Sequence, residues 1–254
     1  MSPSEGVSRE TPEGRYALVV GEDGDQREKI ADTLREAGLP VVASSVDEAL
    51  AQPEMPAPGL VVLDVDRGRE ERRRRQDRLR RHPRLAHVPL LVLGHEADRT
   101  SFALAIAHGA SAYLGKPVID DVLLSVAQRL HGWRAQAVDA EKRRQARRPL
   151  LVPVDVQVRG RYGRNGAWIM DASLTGCRLE TAEQLESGDH LRVWLHVPDA
   201  ITDLPLACEA RWAQKSPLGL SLAGVRFTGT AILLVGKVLG LYPAATSTSW
   251  PDAR

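Results

Sequence analysis

Short apolar runs alternate with segments of helical spacing through the first half of the chain. The runs are uninterrupted, and they comprise Tyr16 to Val20, Val41 to Ser44, Gly59 to Leu63, Pro89 to Leu93 and Ala112 to Leu114. Unalternated apolar strands are typical of a parallel sheet that is covered on both faces. Between the runs, apolar residues recur three or four positions apart, as in Ile30, Leu34 and Ala37. The pattern predicts a doubly wound α/β domain of about five strands.

The pattern changes after position 148. Runs rich in strand-forming residues follow one another at short intervals, with Gly and Pro between them, at residues 150–158, 166–173, 190–197, 206–213 and 222–228. Helical spacing returns only from about Ala231 to Leu241. These runs predict an all-β domain, a small antiparallel barrel or sandwich that is followed by one helix.

The two patterns divide the chain into domains and connections. We expect an α/β domain at residues 15–132, a connecting helix with an Arg-rich loop at 133–148, and a β-rich domain at 149–243. Residues 1–14 and 244–254 carry no apolar periodicity, so both are expected to be disordered tails.

The connecting helix continues the last helix of the α/β domain, and the whole helix has two interpretations. Its apolar residues step by three and four in the manner of heptad positions a and d, at Leu123, Val126, Leu130, Trp133, Ala137 and Ala140. Either the helix begins on the sheet and ends as a link between the domains, or it forms a homodimer with a second copy of the chain.

Composition narrows the function classes. The 254 residues are 43% hydrophobic and 26% charged, which is typical of a globular protein, and the net charge of +1 excludes a wholly basic nucleic-acid coat. No apolar run is long enough to span a bilayer, and the polar N-terminus lacks a secretory signal. Cys177 and Cys208 have no metal-ligand spacing. We therefore expect a cytoplasmic protein.

Charged residues follow three of the predicted parallel strands. Glu22 and Asp23 come after the first strand, Asp64 after the third and Lys116 after the fifth. The carboxyl ends of parallel strands meet at one edge of the sheet, where ligands bind in such folds. This edge could hold a divalent cation and make Asp64 a phosphoryl acceptor whose added charge Lys116 balances.

The segments VVLDV, HPRLAHVP and GASAYLGKP give residues 16–130 a family resemblance. They resemble the receiver domain of two-component response regulators, a flavodoxin-like fold. The resemblance implies phosphorelay signalling with Asp64 as the phosphoacceptor and Glu22, Asp23 and Lys116 in its pocket. It also implies a magnesium ion at Glu22 and Asp64, and makes Tyr113 the aromatic switch residue.

Two positions depart from the receiver pattern. Gly21 stands where the family has one of its paired acidic residues, and Gly94 stands where it has the hydroxyl residue that follows the phosphoryl group. Without that hydroxyl, the coupling from Asp64 through to Tyr113 loses its usual hydrogen bond. We expect a degenerate, non-switching receiver; the alternative is a domain that is still phosphorylated on Asp64.

Residues 67–84 are unusually basic. Ten arginines stand against Glu70, Glu71 and Asp77, and only Leu79, with Leu85 beyond it, is left to pack against the sheet. We expect a helix that is loosely attached or displaced into solvent. The arginines form either a solvated face or a site for an anionic partner, which could be protein, nucleic acid or lipid headgroups.

Two motifs mark the second domain. The segment EKRRQARRP pairs Arg143 with Arg147 and Arg144 with Arg148 at RxxxR spacing, so that two guanidinium groups can close on one anion. Downstream, residues 171–176 read DxSxxG: an acceptor carboxylate on Asp171, a hydroxyl on Ser173 and a flexible backbone at Gly176. Without a ligand, the DxSxxG segment would be an ordinary turn between two strands.

Together with GAWIMDASLTGCRLE, CEARW and GVRF, these motifs give residues 143–242 a second family resemblance. They resemble the PilZ domain, the bacterial receptor for cyclic di-GMP, which implies a six-stranded barrel with a C-terminal helix. The resemblance places six residues in the cyclic di-GMP site: Arg143, Arg144, Arg147, Asp171, Ser173 and Gly176.

Three classes of function follow. We interpret the chain as a cyclic di-GMP-binding signalling receptor; the alternative is a PilZ-type adaptor that binds a protein partner and no nucleotide. An enzyme is not expected, because the sequence has no Ser–His–Asp or Cys–His motif and its seven His have no metal spacing.

Overall fold

The computed structural model describes residues 16–52, 55–66, 68–95, 98–132, 147–195, 203–216, 219–229 and 232–241. The expected tails at 1–14 and 244–254, and residues 133–146 of the connecting segment, lie outside the described residues. In the part of the chain that is described, no helix is both long and apolar enough to cross a membrane.

The first domain is a doubly wound α/β fold, as the apolar runs predict. Its strands are β1 (Ala17–Val20), β2 (Val41–Ser44), β3 (Leu60–Val65), β4 (Leu90–Gly94) and β5 (Ala112–Gly115), paired in parallel in the order β2-β1-β3-β4-β5. Its helices are α1 (Gly24–Glu36), α2 (Val46–Leu50), α3 (Arg69–Arg81), α4 (Arg99–Ala107) and α5 (Asp120–His131). The strand order is that of flavodoxin-like folds, in which ligands bind at the carboxyl ends of the strands.

Helix α3 corrects the expectation for the Arg-rich segment, because it is packed against the domain rather than displaced. Its inner face consists of Arg72, Arg75, Gln76 and Leu79, all of them buried. The spacing of these four residues is that of one helix face, so arginine here replaces the apolar stripe of an ordinary packed helix.

Hydrogen bonds satisfy polar side chains on this face of α3 and at its end. Arg80, at the end of α3, donates from Nη1 to the carbonyl of Val88 at 2.6 Å and from Nε to the carbonyl of Gly109 at 2.9 Å. Gln76 donates to the carbonyl of Ala105 at 3.0 Å. Buried polar groups are tolerated when they are hydrogen-bonded, and hydropathy alone misses this arrangement.

The second domain is a closed antiparallel barrel. Its strands are β6 (Arg148–Val158), β7 (Asn165–Ser173), β8 (Gly176–Thr181), β9 (His190–Leu195), β10 (Leu204–Lys215) and β11 (Ser221–Phe227), in the closed order β10-β11-β8-β7-β6-β9. Helix α6 (Ile232–Val238) follows the barrel. Closure leaves no free strand edge, and the alternating strand pattern buries one set of side chains inside. The predicted six-stranded barrel with a C-terminal helix is confirmed.

Helix α5 uses its apolar face within the chain. Leu123 and Leu130, two members of the heptad-like series, are each 2% exposed and pack against the parallel sheet. This packing favours the first interpretation of the connecting helix, in which its start lies on the sheet. The members from Trp133 onward lie outside the described residues.

The two domains share specific polar contacts. The backbone N–H of Leu151 in β6 donates to the carbonyl of Ser111 at 2.8 Å. The ion pair between Arg129 in α5 and Glu180 in β8 is 2.6 Å long. Arg148 donates to the carbonyl of Gly240 at 2.6 Å and to that of Ala110. These contacts tie β6 and β8 to the first domain, and Arg148 joins Gly240, just after α6, to the same contact.

Candidate functional site

The structure brings Asp64 and Lys116 together at the carboxyl edge of the parallel sheet. The Lys116 ammonium lies 2.6 Å from Asp64 Oδ1 and also contacts Asp66. Burial raises the pKa of the Asp64 carboxyl, against the opposing effect of Lys116. Burial alone would lower the pKa of Lys116, but its hydrogen bonds to both carboxylates outweigh that effect and raise it. The predicted Asp64–Lys116 pair is therefore formed.

Glu22 and Asp23 have other partners at the same edge. The Glu22 carboxylate pairs with the buried guanidinium of Arg75, and the Asp23 side chain caps α1 by accepting from the N–H of Gln26 at 3.0 Å. Among the residues that the structure describes, no three His, Cys, Asp or Glu side chains are grouped so that they could hold a metal ion. With Glu22 paired to Arg75 and Asp64 paired to Lys116, this donor set does not fit magnesium at Glu22 and Asp64.

The position that lacks a hydroxyl, Gly94, is closed by Tyr113. A Cβ atom built on Gly94 would lie 2.7 Å from Cε2 and 2.8 Å from Cζ of the Tyr113 ring. The phenol is 6% exposed, accepts a hydrogen bond from Arg72 at 3.3 Å and lies 5.1 Å below the Arg72 guanidinium. Phe102 packs edge-on against the same ring. Tyr113 thus fills the space that a side chain at position 94 would need.

The DxSxxG residues form a tight hairpin between β7 and β8. Asp171 and Ser173 are 6% and 5% exposed, and Ser173 Oγ donates to the carbonyl of Gly176 at 3.3 Å. A Cβ on Gly176 would overlap the carbonyl oxygen of Val225 and lie 3.2 Å from Arg226 Cα. Glycine is therefore required for β8 to pack against β11, quite apart from any ligand.

Arg147 joins this hairpin. Its Nη1 lies 2.6 Å from Asp171 Oδ1, across the first residues of β6. The structure thus brings together Arg147, Asp171, Ser173 and Gly176, as the sequence predicts. Arg143 and Arg144 lie outside the described residues.

Arg148, the other half of an RxxxR pair, faces away from the hairpin. Its guanidinium donates to the carbonyls of Leu239 and Gly240 and, in the first domain, to that of Ala110. Burial, reinforced by the nearby charge of Arg80, lowers its pKa well below the ordinary value for arginine. Arg148 is therefore a contact between the domains.

Arg178 belongs to the hairpin and was missed by the sequence analysis. Its Nε lies 3.0 Å from Asp171 Oδ2, so Asp171 is paired on both oxygens. The signal was available: Ser173 pairs with Gly176 across the turn, and counting back two residues on each side places Asp171 opposite Arg178.

Residues 141–234 match the family model of the PilZ domain. None of the curated proteins compared with the chain is similar enough to match it.

Among solved structures, the chain is similar to a chemotaxis response regulator of Vibrio cholerae, with 25% identity over 46% of this chain and 98% of that chain and a TM-score of 0.41. It is also similar to a putative response regulator from Chloroflexus aurantiacus, with 26% identity over 47% of this chain and 100% of that chain and a TM-score of 0.40. The receiver domain of a histidine kinase from Syntrophus aciditrophicus is 23% identical over 49% of this chain and 95% of its own, with a TM-score of 0.41.

The strand order β2-β1-β3-β4-β5 and the Asp64–Lys116 pair belong to the N-terminal half, and the closed barrel belongs to the C-terminal half. Residues 141–234, which include the C-terminal barrel, therefore match the PilZ family model, and the residues before them form a receiver-like parallel sheet of five strands with helices.

Proposed function

We propose that the chain is a receptor for cyclic di-GMP, which binds at the hairpin between β7 and β8. The observation that carries the proposal is the meeting of Arg147 with Asp171 beside Ser173 and Gly176, on a PilZ domain. PilZ and receiver domains are regulatory modules, so the proposal is one of signalling rather than catalysis, with the protein in the cytoplasm.

The chemistry of the hairpin suits a guanine nucleotide. An arginine can fork onto O6 and N7 of guanine, stack on its face or pair with a phosphate. A carboxylate such as Asp171 can accept from the guanine N–H groups, which no arginine can do. Both residue types stand within 2.6 Å of one another here, on a hairpin that is held by Ser173 and Gly176.

Arg143 and Arg147 are the RxxxR pair that we assign to the ligand. Arg148 is committed to three carbonyl groups between the domains, and moving it to a ligand would leave those carbonyls without that donor. Arg144 is proposed as an additional contact from the same segment.

The receiver domain is proposed to be a non-switching module. Gly94 supplies no hydroxyl that could follow a phosphoryl group, and the Tyr113 ring occupies the space beside it. Asp64 remains the candidate phosphoacceptor, and modification there would not reach Tyr113 by the usual hydrogen bond.

The second candidate function is a PilZ-type adaptor that binds a protein partner without nucleotide. Its support is that Asp171 is already paired by Arg147 and Arg178, so the hairpin is stable as it stands. Two further interactions remain proposals: a homodimer through the connecting helix, and an anionic partner at the exposed arginines of α3. Two of these arginines, Arg73 and Arg78, form ion pairs with Glu70 and Asp47.

Calorimetric titration with cyclic di-GMP tests the proposal and separates the two candidates. Wild type should bind, and Arg147→Ala and Asp171→Asn should each weaken binding by roughly 5- to 150-fold, the equivalent of about 1–3 kcal/mol. Arg192→Ala is the matched control, because Arg192 is an exposed arginine on β9. A folded wild type that takes up no nucleotide would leave the adaptor as the function.

A further inference from the structure

We propose that Arg178 is a third arginine of the nucleotide site and sets its preference for guanine over adenine. This inference rests on the proposed function. It adds a residue that lies outside both sequence motifs, on β8 rather than on the connecting segment or in the DxSxxG turn.

The position of Arg178 follows from the pairing of three strands. Arg178 stands opposite Asp171 in β7 and opposite Gly224 in β11. Directly paired residues of neighbouring strands project from the same face of a sheet, so Arg178 and Asp171 share the outer face of the barrel. The face is set by the backbone, and it does not depend on any ligand.

The neighbour on the other side restricts where Arg178 can point. A Cβ on Gly224 would overlap the indole of Trp212 and lie 2.9 Å from its Cδ1, so this indole covers the glycine that pairs with Arg178. With that side closed, the guanidinium is directed toward Asp171. A side chain that is already oriented loses less freedom when it binds a ligand.

The contact leaves most of the guanidinium available. Arg178 approaches Asp171 Oδ2 through Nε at 3.0 Å, and the side chain is 26% exposed. An arginine carries five N–H donors, of which this contact involves only the one on Nε. Arg178 can therefore keep a contact with Asp171 while it donates to a ligand.

The hydrogen-bonding groups of an arginine beside an aspartate are complementary to those of guanine and not to those of adenine. Along its pairing edge, guanine presents the O6 acceptor next to N–H donors, and the row of Arg178 and Asp171 presents donors next to acceptors. Adenine has the N6 amino donor where guanine has O6, so the same row would set donor against donor. Two donors that face each other cannot form a hydrogen bond, so adenine would bind more weakly than guanine because buried polar groups are left unpaired.

The test is a set of titrations with cyclic di-GMP and with cyclic di-AMP, the adenine analogue. Arg178→Ala should weaken cyclic di-GMP binding by roughly 5- to 150-fold and reduce its advantage over cyclic di-AMP, because one base-reading contact is lost. Arg178→Lys should recover only part of the affinity, since an ammonium is a point charge without a planar fork.

The controls separate a role in binding from a role in folding. Arg192→Ala should leave both affinities unchanged, and thermal unfolding of each variant checks the barrel; Arg178→Gln is the replacement if the alanine variant is unfolded. Wild-type affinity and selectivity in a folded Arg178 variant would overturn the inference and leave the proposed function intact. Failure of wild type itself to bind cyclic di-GMP would overturn the proposed function, and the inference with it.

Discussion

Removing the Arg148 side chain is expected to destabilise the whole chain. Its guanidinium donates to Leu239 O at 3.0 Å, to Gly240 O at 2.6 Å and to Ala110 O. Arg148→Ala therefore removes a donor from three carbonyls at the contact between the domains. A buried polar group that loses its partner costs about 1–3 kcal/mol, so the three together set a gross cost of roughly 3–9 kcal/mol.

Relief of a buried charge offsets part of this cost. Burial and the charge of Arg80 lower the pKa of Arg148, which means that the folded protein pays for holding a second cation there. Water that enters the vacated space would also satisfy some of the carbonyls. We therefore expect a net loss of about 3 kcal/mol in the free energy of unfolding, near the low end of the 3–5 kcal/mol seen when buried charged networks are broken.

Thermal and urea unfolding measure the effect. A loss of about 3 kcal/mol corresponds to a drop of roughly 6–12 °C in Tm for domains of 150–250 residues. The amide of Leu151, which bonds to Ser111 across the same contact, should also exchange faster with solvent. Arg147→Ala is the matched control, and it should cost less than about 1 kcal/mol because Arg178 still pairs Asp171 and the pair is partly exposed. Equal stability of the two variants would refute the reasoning.

Three further predictions concern the receiver domain. Gly94→Thr should cost about 1–3 kcal/mol of stability, because its side chain would overlap the Tyr113 ring, and adding Tyr113→Ala should recover part of the loss in a double-mutant cycle. Asp64→Asn should be more stable than wild type by an amount that grows as pH rises from about 4 and then levels off. Burial raises the pKa of Asp64 in the folded chain above its pKa in the unfolded chain. Ionisation of Asp64 therefore favours the unfolded chain, and asparagine cannot ionise. Denaturation at several pH values tests this, and a difference that is constant or shrinks with pH would contradict it. A small-molecule phosphodonor should leave elution from a sizing column unchanged, with intact mass and Asp64→Ala reporting any modification; a stoichiometric, Asp64-dependent shift in elution would show a working switch.

The strands of both domains could be predicted because their apolar patterns are long and regular. Strands β1, β3 and β4 of the parallel sheet are buried along their whole length, and β6 alternates buried and exposed residues from Val152 onward. Helix α3 could not be predicted in the same way. Its buried face is made by Arg72 and Arg75, and what makes their burial tolerable is a set of partners that lie far away in sequence, such as Tyr113 and Glu22.

The site residues also divide into those that a local sequence pattern reveals and those that depend on the folded structure. Asp171, Ser173 and Gly176 belong to one local turn, so their spacing was enough to find them. Assigning Arg147 rather than Arg148 to the hairpin required the direction in which each side chain points at the start of β6. The sequence does not give that direction, and the structure does. Arg178 was accessible to a count along the hairpin, but no motif marks it.

Arg147 and Arg148 point in opposite directions at the start of β6, so their two contacts depend on the register of this strand. Consecutive residues of an extended chain project to opposite sides, so one arginine meets Asp171 while its neighbour meets the carbonyls of Leu239 and Gly240. With the pairing of β6 retained, one residue inserted just after Arg148 would move Arg148 to the position that meets Asp171, and the inserted residue would take the position at the domain contact. An insertion of either one or two residues at this point would therefore remove the Arg148 guanidinium from the carbonyls of Leu239 and Gly240.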